Sequence, residues 1–432
     1  MSQTNLHWQQ RREHAVTGGV GNSLQVYIHK ALNAELWDVE GKRYIDFASG
    51  IAVLNTGHNH PKVIAAVLEQ LTRFTHPCFQ VTPYPEYVEL AERLNALVPI
   101  SAPTQTLLMT TGAEAVENAI KVARIATGRS GVIAFRGGFH GRTLLGMALT
   151  GKMVPYKQGY GPFPGGIFHA PYPNAYHGVS DEQSLQAIED IFAADISPDD
   201  VAAIIIEPVQ GEGGFYAASA GFLQKLREIC DQHGIVFIAD EIQSGFCRTG
   251  KTFAIEHSGV EPDLVTMAKS LAGGFPLSAV VGRKRLMEKA RPGGLGGTYA
   301  GSPVAIAAAL AVTRLIDDEQ LNEKAQRLGQ QLFRALHAMA EHHACIGDIR
   351  GVGAMVAMEL VKHGDANQPD KALTQALVQQ AGKMGLVLLS CGVRANVVRL
   401  LIPLTAEKEI VTEGLKILSS ALELVQNAPH AE

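Results

Sequence analysis

The chain has 432 residues, 46% of them apolar and 18% charged, which is enough for two cores rather than one. A net charge of −5 without long like-charged runs speaks against a nucleic-acid partner. No apolar run nears the roughly 18 residues of a membrane span, the N-terminus lacks the apolar segment of a secretion signal, and five cysteines without CxxC spacing read as reduced thiols, so a cytoplasmic protein away from membranes is expected.

In chain order, residues 36–47 (LWDVEGKRYIDF) alternate about a Glu40-Gly41 turn and predict a hairpin. Ser49 to His58 is glycine-flanked and reads as a loop. His58 and His60 lack a recognisable third ligand, as do His342, His343 and Cys345, so no metal site is expected. From 61 to 315, helical patterns alternate with short apolar runs. They predict strands at 106–109, 131–135, 201–206, 235–239, 264–267 and 279–281 in an α/β, mainly parallel, doubly wound sheet. The run Val201-Ala202-Ala203-Ile204-Ile205-Ile206 is continuous rather than alternating, which predicts burial on both faces.

Residues 151–177 are rich in Gly, Pro and Tyr without periodicity, and an irregular loop of that length is usually functional. An Ala-rich helix from Pro303 is broken at Asp317-Asp318; the next carries Leu321, Ala325, Leu328, Leu332, Leu336 and Met339 on one stripe. Three regions are expected: an N-terminal segment 1–60 belonging to a small domain, a large domain 61–320, and a small α+β domain 321–432. The last should hold strands near 353–361, 386–390 and 397–402 and helices near 370–384 and 406–425.

The chemistry gathers around 235–274. Ile235-Val236-Phe237-Ile238-Ala239 reads as a buried parallel strand with Asp240 and Glu241 at its carboxyl end, where open α/β sheets place ligands. Lys269 ends the next apolar run and is followed by Ser270, Gly273 and Gly274. An acid and an amine at neighbouring strand ends suit pyridoxal phosphate, which needs a Schiff-base lysine and an acid partner for its pyridinium nitrogen; an ordinary strand-end Asp and surface Lys are the alternative. Thr111 and Glu114 have capping-box spacing around Gly112 and Ala113, a helix start that favours an anion. Phe139-His140-Gly141-Arg142 offers a stacking ring and a carboxylate-gripping guanidinium. Glu207 and Glu212 share a glycine-rich strand end; glycosidase acid/base work is disfavoured because the chain has only two tryptophans. Arg399 lies in an otherwise apolar run and needs a carboxylate, from protein or ligand.

Residues 245–252 (GFCRTGKT) match the P-loop pattern GxxxxGK[ST], but Glu241 to Ser244 separate them from the strand and any helix after Thr252 ends within two turns. A P-loop nucleotide-binding protein is therefore the disfavoured rival class, and no GxGxxG supports a dinucleotide site.

Taken together, DFASGIAVLNTGHNHPKV, TTGAEAVENAIKVAR, FHGRT, IIEPVQGEGGF, IADEIQSGFCRTG, AKSLAGGFPLSAVVG and VVRLLIPLT resemble the class III, ω-amino-acid aminotransferases of pyridoxal phosphate fold type I, over nearly the whole chain. Within them the chain looks closest to the bacterial 4-aminobutyrate:2-oxoglutarate aminotransferases. The resemblance implies an aspartate-aminotransferase-like large domain, ping-pong transamination of 4-aminobutyrate with 2-oxoglutarate, and a dimer or tetramer. Enzymes acting on 5-aminovalerate, ornithine or putrescine-pathway amines are the alternative on the same scaffold. Lys269 resembles the Schiff-base lysine and Asp240 the partner of the ring nitrogen. Gly112 and Ala113 match the phosphate-binding helix start, and Phe139 and Ile242 the residues that sandwich the ring. His140, Glu207 and Gln243 match its polar neighbours, and Thr298 a phosphate ligand donated by the other subunit. Among substrate residues, Arg142 matches the grip on the distal carboxylate, Arg399 the grip on the α-carboxylate of 2-oxoglutarate, Glu212 the acid that covers Arg399, and Ile51 a pocket wall. Val393-Arg394-Ala395 departs from the pattern, placing a charge where an aromatic residue is expected near the pocket mouth.

Overall fold

The computed structural model describes residues 4–427; residues 1–3 and 428–432, counted in the terminal regions above, lie outside the described residues. The large sheet has seven strands, in the order Thr104–Met109, Ser278–Arg283, Leu264–Met267, Val236–Asp240, Val201–Ile206, Gly131–Phe135 and Ile167–Ala170. Ser278–Arg283 is antiparallel to both neighbours; the remaining pairs are parallel. Parallel neighbours require crossovers, and helices supply them on both faces.

The Val201–Ile206 strand shows why its sequence lacks alternation. Ile204 and Ile206 enter one apolar cluster while Ala203 and Ile205 enter another, and all four are essentially inaccessible to water. Each buried Ile side chain contributes about 2 kcal/mol relative to exposure, so neither face tolerates a polar residue. The helix Gly112–Thr127 packs into the second cluster, and Ala220–His233 and Pro303–Asp318 into the first.

Two smaller sheets lie outside this layer. Ile28–Leu32, Glu35–Asp38 and Arg43–Asp46 form an antiparallel meander whose last two strands are the hairpin read from residues 36–47. Leu386–Val387 adds to it in parallel, pairing with Ile45 and Asp46. The other sheet is antiparallel, ordered Ile346–Val352, Met355–Leu360, Val397–Leu400, Leu389–Cys391.

Three expectations need correction. The apolar run 353–361 is one arm of a hairpin: Gly353, at φ +56°, turns the chain between Ile346–Val352 and Met355–Leu360. The first arm carries no strand signal in the sequence because its Gly347, Asp348, Arg350 and Gly351 break any alternation. The run 386–390 is not one strand, since Leu386–Val387 and Leu389–Cys391 belong to different sheets. Residues 151–177 are not wholly irregular; Ile167–Ala170 forms the edge strand, too short to signal itself.

The P-loop-like stretch is a series of turns, with no helix opening at Lys251. Its Arg248 is fully buried and donates to Asn55 Oδ1, the Ile402 carbonyl at 2.7 Å and the Ala354 carbonyl at 3.3 Å. A side chain spent on tying three chain segments together is unavailable to a phosphate. Among the described residues, no helix is long and apolar enough to cross a membrane.

Candidate active site

At the carboxyl ends of the parallel strands lies a cavity of about 320 Å³. Its floor is Asp240, the last residue of Val236–Asp240 and almost wholly buried. One carboxylate oxygen accepts from the Thr266 hydroxyl at 3.0 Å and the Ile242 N–H at 3.2 Å. The other lies 2.7 Å from His140 Nδ1. Burial alone would lower the His140 pKa, but the hydrogen bond and charge of Asp240 win and hold it above its ordinary value. His140 thus fixes the carboxylate from below while Nε2, also buried, has no protein partner.

One wall is the start of the Gly112–Thr127 helix. Thr111 and Glu114 form the capping box: Glu114 accepts from the Thr111 N–H at 2.7 Å and the Thr110 N–H at 3.1 Å, and the Thr111 hydroxyl from the Glu114 N–H at 3.3 Å. The first-turn N–H groups of Gly112 and Ala113 have no helical acceptor and face the cavity with the positive end of the dipole. Gly112 leaves room for Ile242: a Cβ there would meet Ile242 Cδ1 at 3.0 Å, so a larger residue would push that side chain aside. Phe139 and Ile242 also line the cavity.

Lys269 follows the Leu264–Met267 strand and lines the same space. Its φ of +46° is costly for a side-chain-bearing residue. The strain is held from outside, because the next residue, Ser270, donates to the Ala52 carbonyl at 2.9 Å. Burial lowers the Lys269 pKa to about 8, and the Arg399 charge adds to the effect, while Glu212, Glu207 and Asp240 oppose it. In the apoprotein the cost of the buried ammonium is therefore present in full below about pH 8 and is relieved as pH rises toward the unfolded value of 10.5. The reactivity of the amine follows the same direction. Capture of pyridoxal phosphate by the apoprotein, followed as growth of a visible absorption band in stopped flow, should accelerate with pH and level off above about pH 8. A midpoint near 10 would mean that Nζ is solvated.

Glu207 closes the site beyond Asp240, accepting from the Phe139 N–H at 2.8 Å and the Gly211 N–H at 2.9 Å. Burial pushes its carboxyl up to about 7; His140 pulls the other way and Asp240 adds to the rise. Gln243 lines the cavity with a buried Oε1 that has no partner.

Beside Lys269, Arg399 projects from the middle of Val397–Leu400 and is 4% exposed. Its Nη1 lies 2.5 Å from Glu212 Oε1. Burial opposes both charges, but their attraction wins, lowering the Glu212 pKa and raising that of Arg399. Arg142 lies one residue beyond the cavity-lining Gly141 and is exposed, with its guanidinium 5.4 Å from the centre of the Tyr156 ring.

Ile51 and Thr298, expected at the site, the latter at that of the other subunit, do not line the cavity of the single chain. Ile51 is 41% exposed, because Ser49 to Ala52 all have φ near +50 to +70° and this left-handed turn swings it outward; Val53 lines the cavity instead. Thr298 is exposed and does not line the cavity. Arg394 is exposed and donates to the Ala366 carbonyl at 3.2 Å. Conversely, Thr266, Tyr156 and Lys152, whose Nζ donates to the Gly392 carbonyl at 2.9 Å and lies 6.0 Å from the Tyr156 ring centre, have no motif in the sequence. Thr266 is hidden within an apolar strand, whereas Tyr156 and Lys152 lie in the long segment 151–177, whose composition was the available signal.

Pyridoxal phosphate fits these residues. The helix start offers N–H groups to a phosphate, Asp240 a carboxylate to a ring nitrogen, and Lys269 an amine whose pKa burial lowers to about 8. Comparison with known proteins agrees. The chain is 54% identical over 420 residues to the 4-aminobutyrate aminotransferase GabT of Escherichia coli, covering 97% of this chain and 99% of that one. It is also 54% identical over 423 residues to the 5-aminovalerate aminotransferase DavT of Pseudomonas aeruginosa, covering 98% and 99%. The solved structure of an amine transaminase from an uncultivated Pseudomonas species, in its PLP-bound form, superposes with a TM-score of 0.87 at 29% identity, covering 95% and 98%. Residues 17–422 match the family described as aminotransferase class-III, and this chain, a pyridoxal-phosphate-dependent transaminase, belongs to it.

Proposed function

We propose that the enzyme transfers the amino group of 4-aminobutyrate to 2-oxoglutarate, the two substrates using one site in turn. The observation that carries this reading is the buried Arg399–Glu212 pair beside Lys269. An acceptor with two carboxylates needs two cationic grips, and a donor with one needs only one. A lone buried guanidinium is costly, so the second grip needs a cover when the donor is bound. Glu212 supplies it at 2.5 Å and, as a side chain on a loop, is displaceable by the second carboxylate of the acceptor.

When bound, pyridoxal phosphate supplies an electron-poor ring that stabilises negative charge on the substrate carbon carrying the amine. The roles proposed for the protein's own residues are these. The first-turn N–H groups of Gly112 and Ala113 hold the phosphate, and Phe139 and Ile242 confine the ring. Asp240, held by Thr266, the Ile242 N–H and His140, keeps a negative charge at the cavity floor. Lys269 Nζ would take the proton from the reacting substrate carbon and deliver it two atoms along, on the far side of the amine nitrogen, a transfer that its lowered pKa favours near neutral pH. Glu207 and Gln243 pack against the ring, and Arg142 takes the carboxylate common to both substrates. Thr298, exposed on one subunit, completes the phosphate site of a partner, which makes the working unit at least a dimer.

Arg399→Ala tests the assignment because the two halves of the reaction make opposite demands. Return of the amine to 2-oxoglutarate should fall about a hundredfold, the scale of a lost buried charge pair. Deamination of 4-aminobutyrate should change much less. Single-turnover absorbance on each half measures both, and equal losses would make Arg399 structural. Donor length is a separate matter, because the relatives acting on 4-aminobutyrate and on 5-aminovalerate are equally similar. With 2-oxoglutarate as acceptor, kcat/KM for 4-aminobutyrate should equal or exceed that for 5-aminovalerate. A tenfold preference for 5-aminovalerate would reassign the donor.

A further inference from the structure

Tyr156 is not among the residues that line the cavity, yet it touches one carboxylate-binding group, Arg142, and Glu212, the acid that covers the other, Arg399. It lies in the segment 151–177, between exposed Pro155 and half-buried Lys157, whose Nζ anchors it by donating to the Ala148 carbonyl at 3.2 Å. Three contacts converge on the side chain. Its hydroxyl donates to Glu212 Oε2 at 3.4 Å, the oxygen that Arg399 leaves free. Its ring centre lies 5.4 Å from the Arg142 guanidinium carbon. The same ring packs against Phe139 at 5.0 Å, tilted by 59°. Burial and the Glu212 charge push the phenol up to about 12, so the hydroxyl keeps its proton, and its donor role, at any working pH.

We propose that Tyr156 is a specificity-determining residue: its hydroxyl holds Glu212 closed over Arg399 while its ring supports Arg142, so one side chain sets the balance between a monocarboxylate donor and a dicarboxylate acceptor. The inference rests on the reading of Glu212 as a displaceable cover. A carboxylate with one oxygen on Arg399 and the other on Tyr156 must break both contacts before Arg399 is free for a ligand. The phenol contact is therefore a tax on the acceptor alone. The ring contact is different in kind, since Arg142 serves the carboxylate that both substrates share and a cation over an aromatic face is held in place by it.

The test separates the hydroxyl from the ring and needs no turnover. Glutarate, a dicarboxylate without a reactive carbonyl, and butyrate, its monocarboxylate counterpart, are titrated calorimetrically into the cofactor-loaded enzyme and its variants. Tyr156→Phe should tighten glutarate about fivefold, the scale of one ordinary hydrogen bond as befits a contact of 3.4 Å, and leave butyrate unchanged. Tyr156→Ala should weaken butyrate by several-fold, because the support under Arg142 is gone. A side chain that merely fills space would give no opposite responses to the two ligands. Glu212→Gln supplies the control: it should tighten glutarate by itself and abolish the further effect of Tyr156→Phe in the double variant. If Glu212→Gln tightens glutarate but Tyr156→Phe leaves it unchanged or weakens it, the role of Tyr156 is refuted and the cover stands. If Glu212→Gln leaves glutarate unchanged, the cover itself is refuted, and the role of Tyr156 with it.

Discussion

Lys269→Ala is expected to lower turnover by about ten-thousandfold or more, the upper range of what a positioned acid–base group contributes. The reason is that no other base stands close by: of the cavity's remaining titratable groups, His140 is committed through Nδ1 to Asp240, and Glu207 to two backbone N–H groups. The variant should also fail to retain pyridoxal phosphate after borohydride reduction, whereas the parent should yield one modified peptide containing residue 269. Recovery of the modified group on a different lysine would sink the assignment. Because Ala keeps the same backbone strain at φ +46° and removes an amine whose burial is unfavourable, the variant should not be less stable; thermal unfolding of the apoprotein separates stability from chemistry.

Asp240→Asn is the second large effect, about a thousandfold on the proton-transfer step, measured as the loss of a substrate-deuterium isotope-sensitive rate. The amide keeps the shape of the carboxylate and still accepts from Thr266 and the Ile242 N–H through one oxygen. Its NH₂ replaces the anion that faces His140, so the imidazole loses the charge that raised its pKa and titrates lower. The same substitution removes the negative charge beneath the ring nitrogen, leaving that nitrogen neutral and the ring a poor sink for electrons. Cofactor retention should survive, because the phosphate end and Lys269 are untouched. A variant within about threefold of the parent, under 1 kcal/mol, would mean that the ring nitrogen has another partner.

Much of this arrangement was legible without coordinates. A parallel strand buried on both faces must be apolar at every position, so 201–206 and 235–239 announce themselves, and the residue after such a run lies at the ligand-bearing edge. That placed Asp240, Glu207 and Lys269 at strand ends, and capping chemistry, local by nature, placed the Gly112 helix start. The arginine in the apolar run 397–402 demanded a carboxylate on energetic grounds alone. Local periodicity could not decide which one, and only the family resemblance pointed to Glu212, because Glu212 lies 187 residues away and meets Arg399 only when the small antiparallel sheet docks beside the large one. The outward turn of Ile51, the split of 386–390 between two sheets and the bridging position of Tyr156 are of the same kind. Each depends on contacts between segments far apart in the chain, where local periodicity carries no information and packing decides.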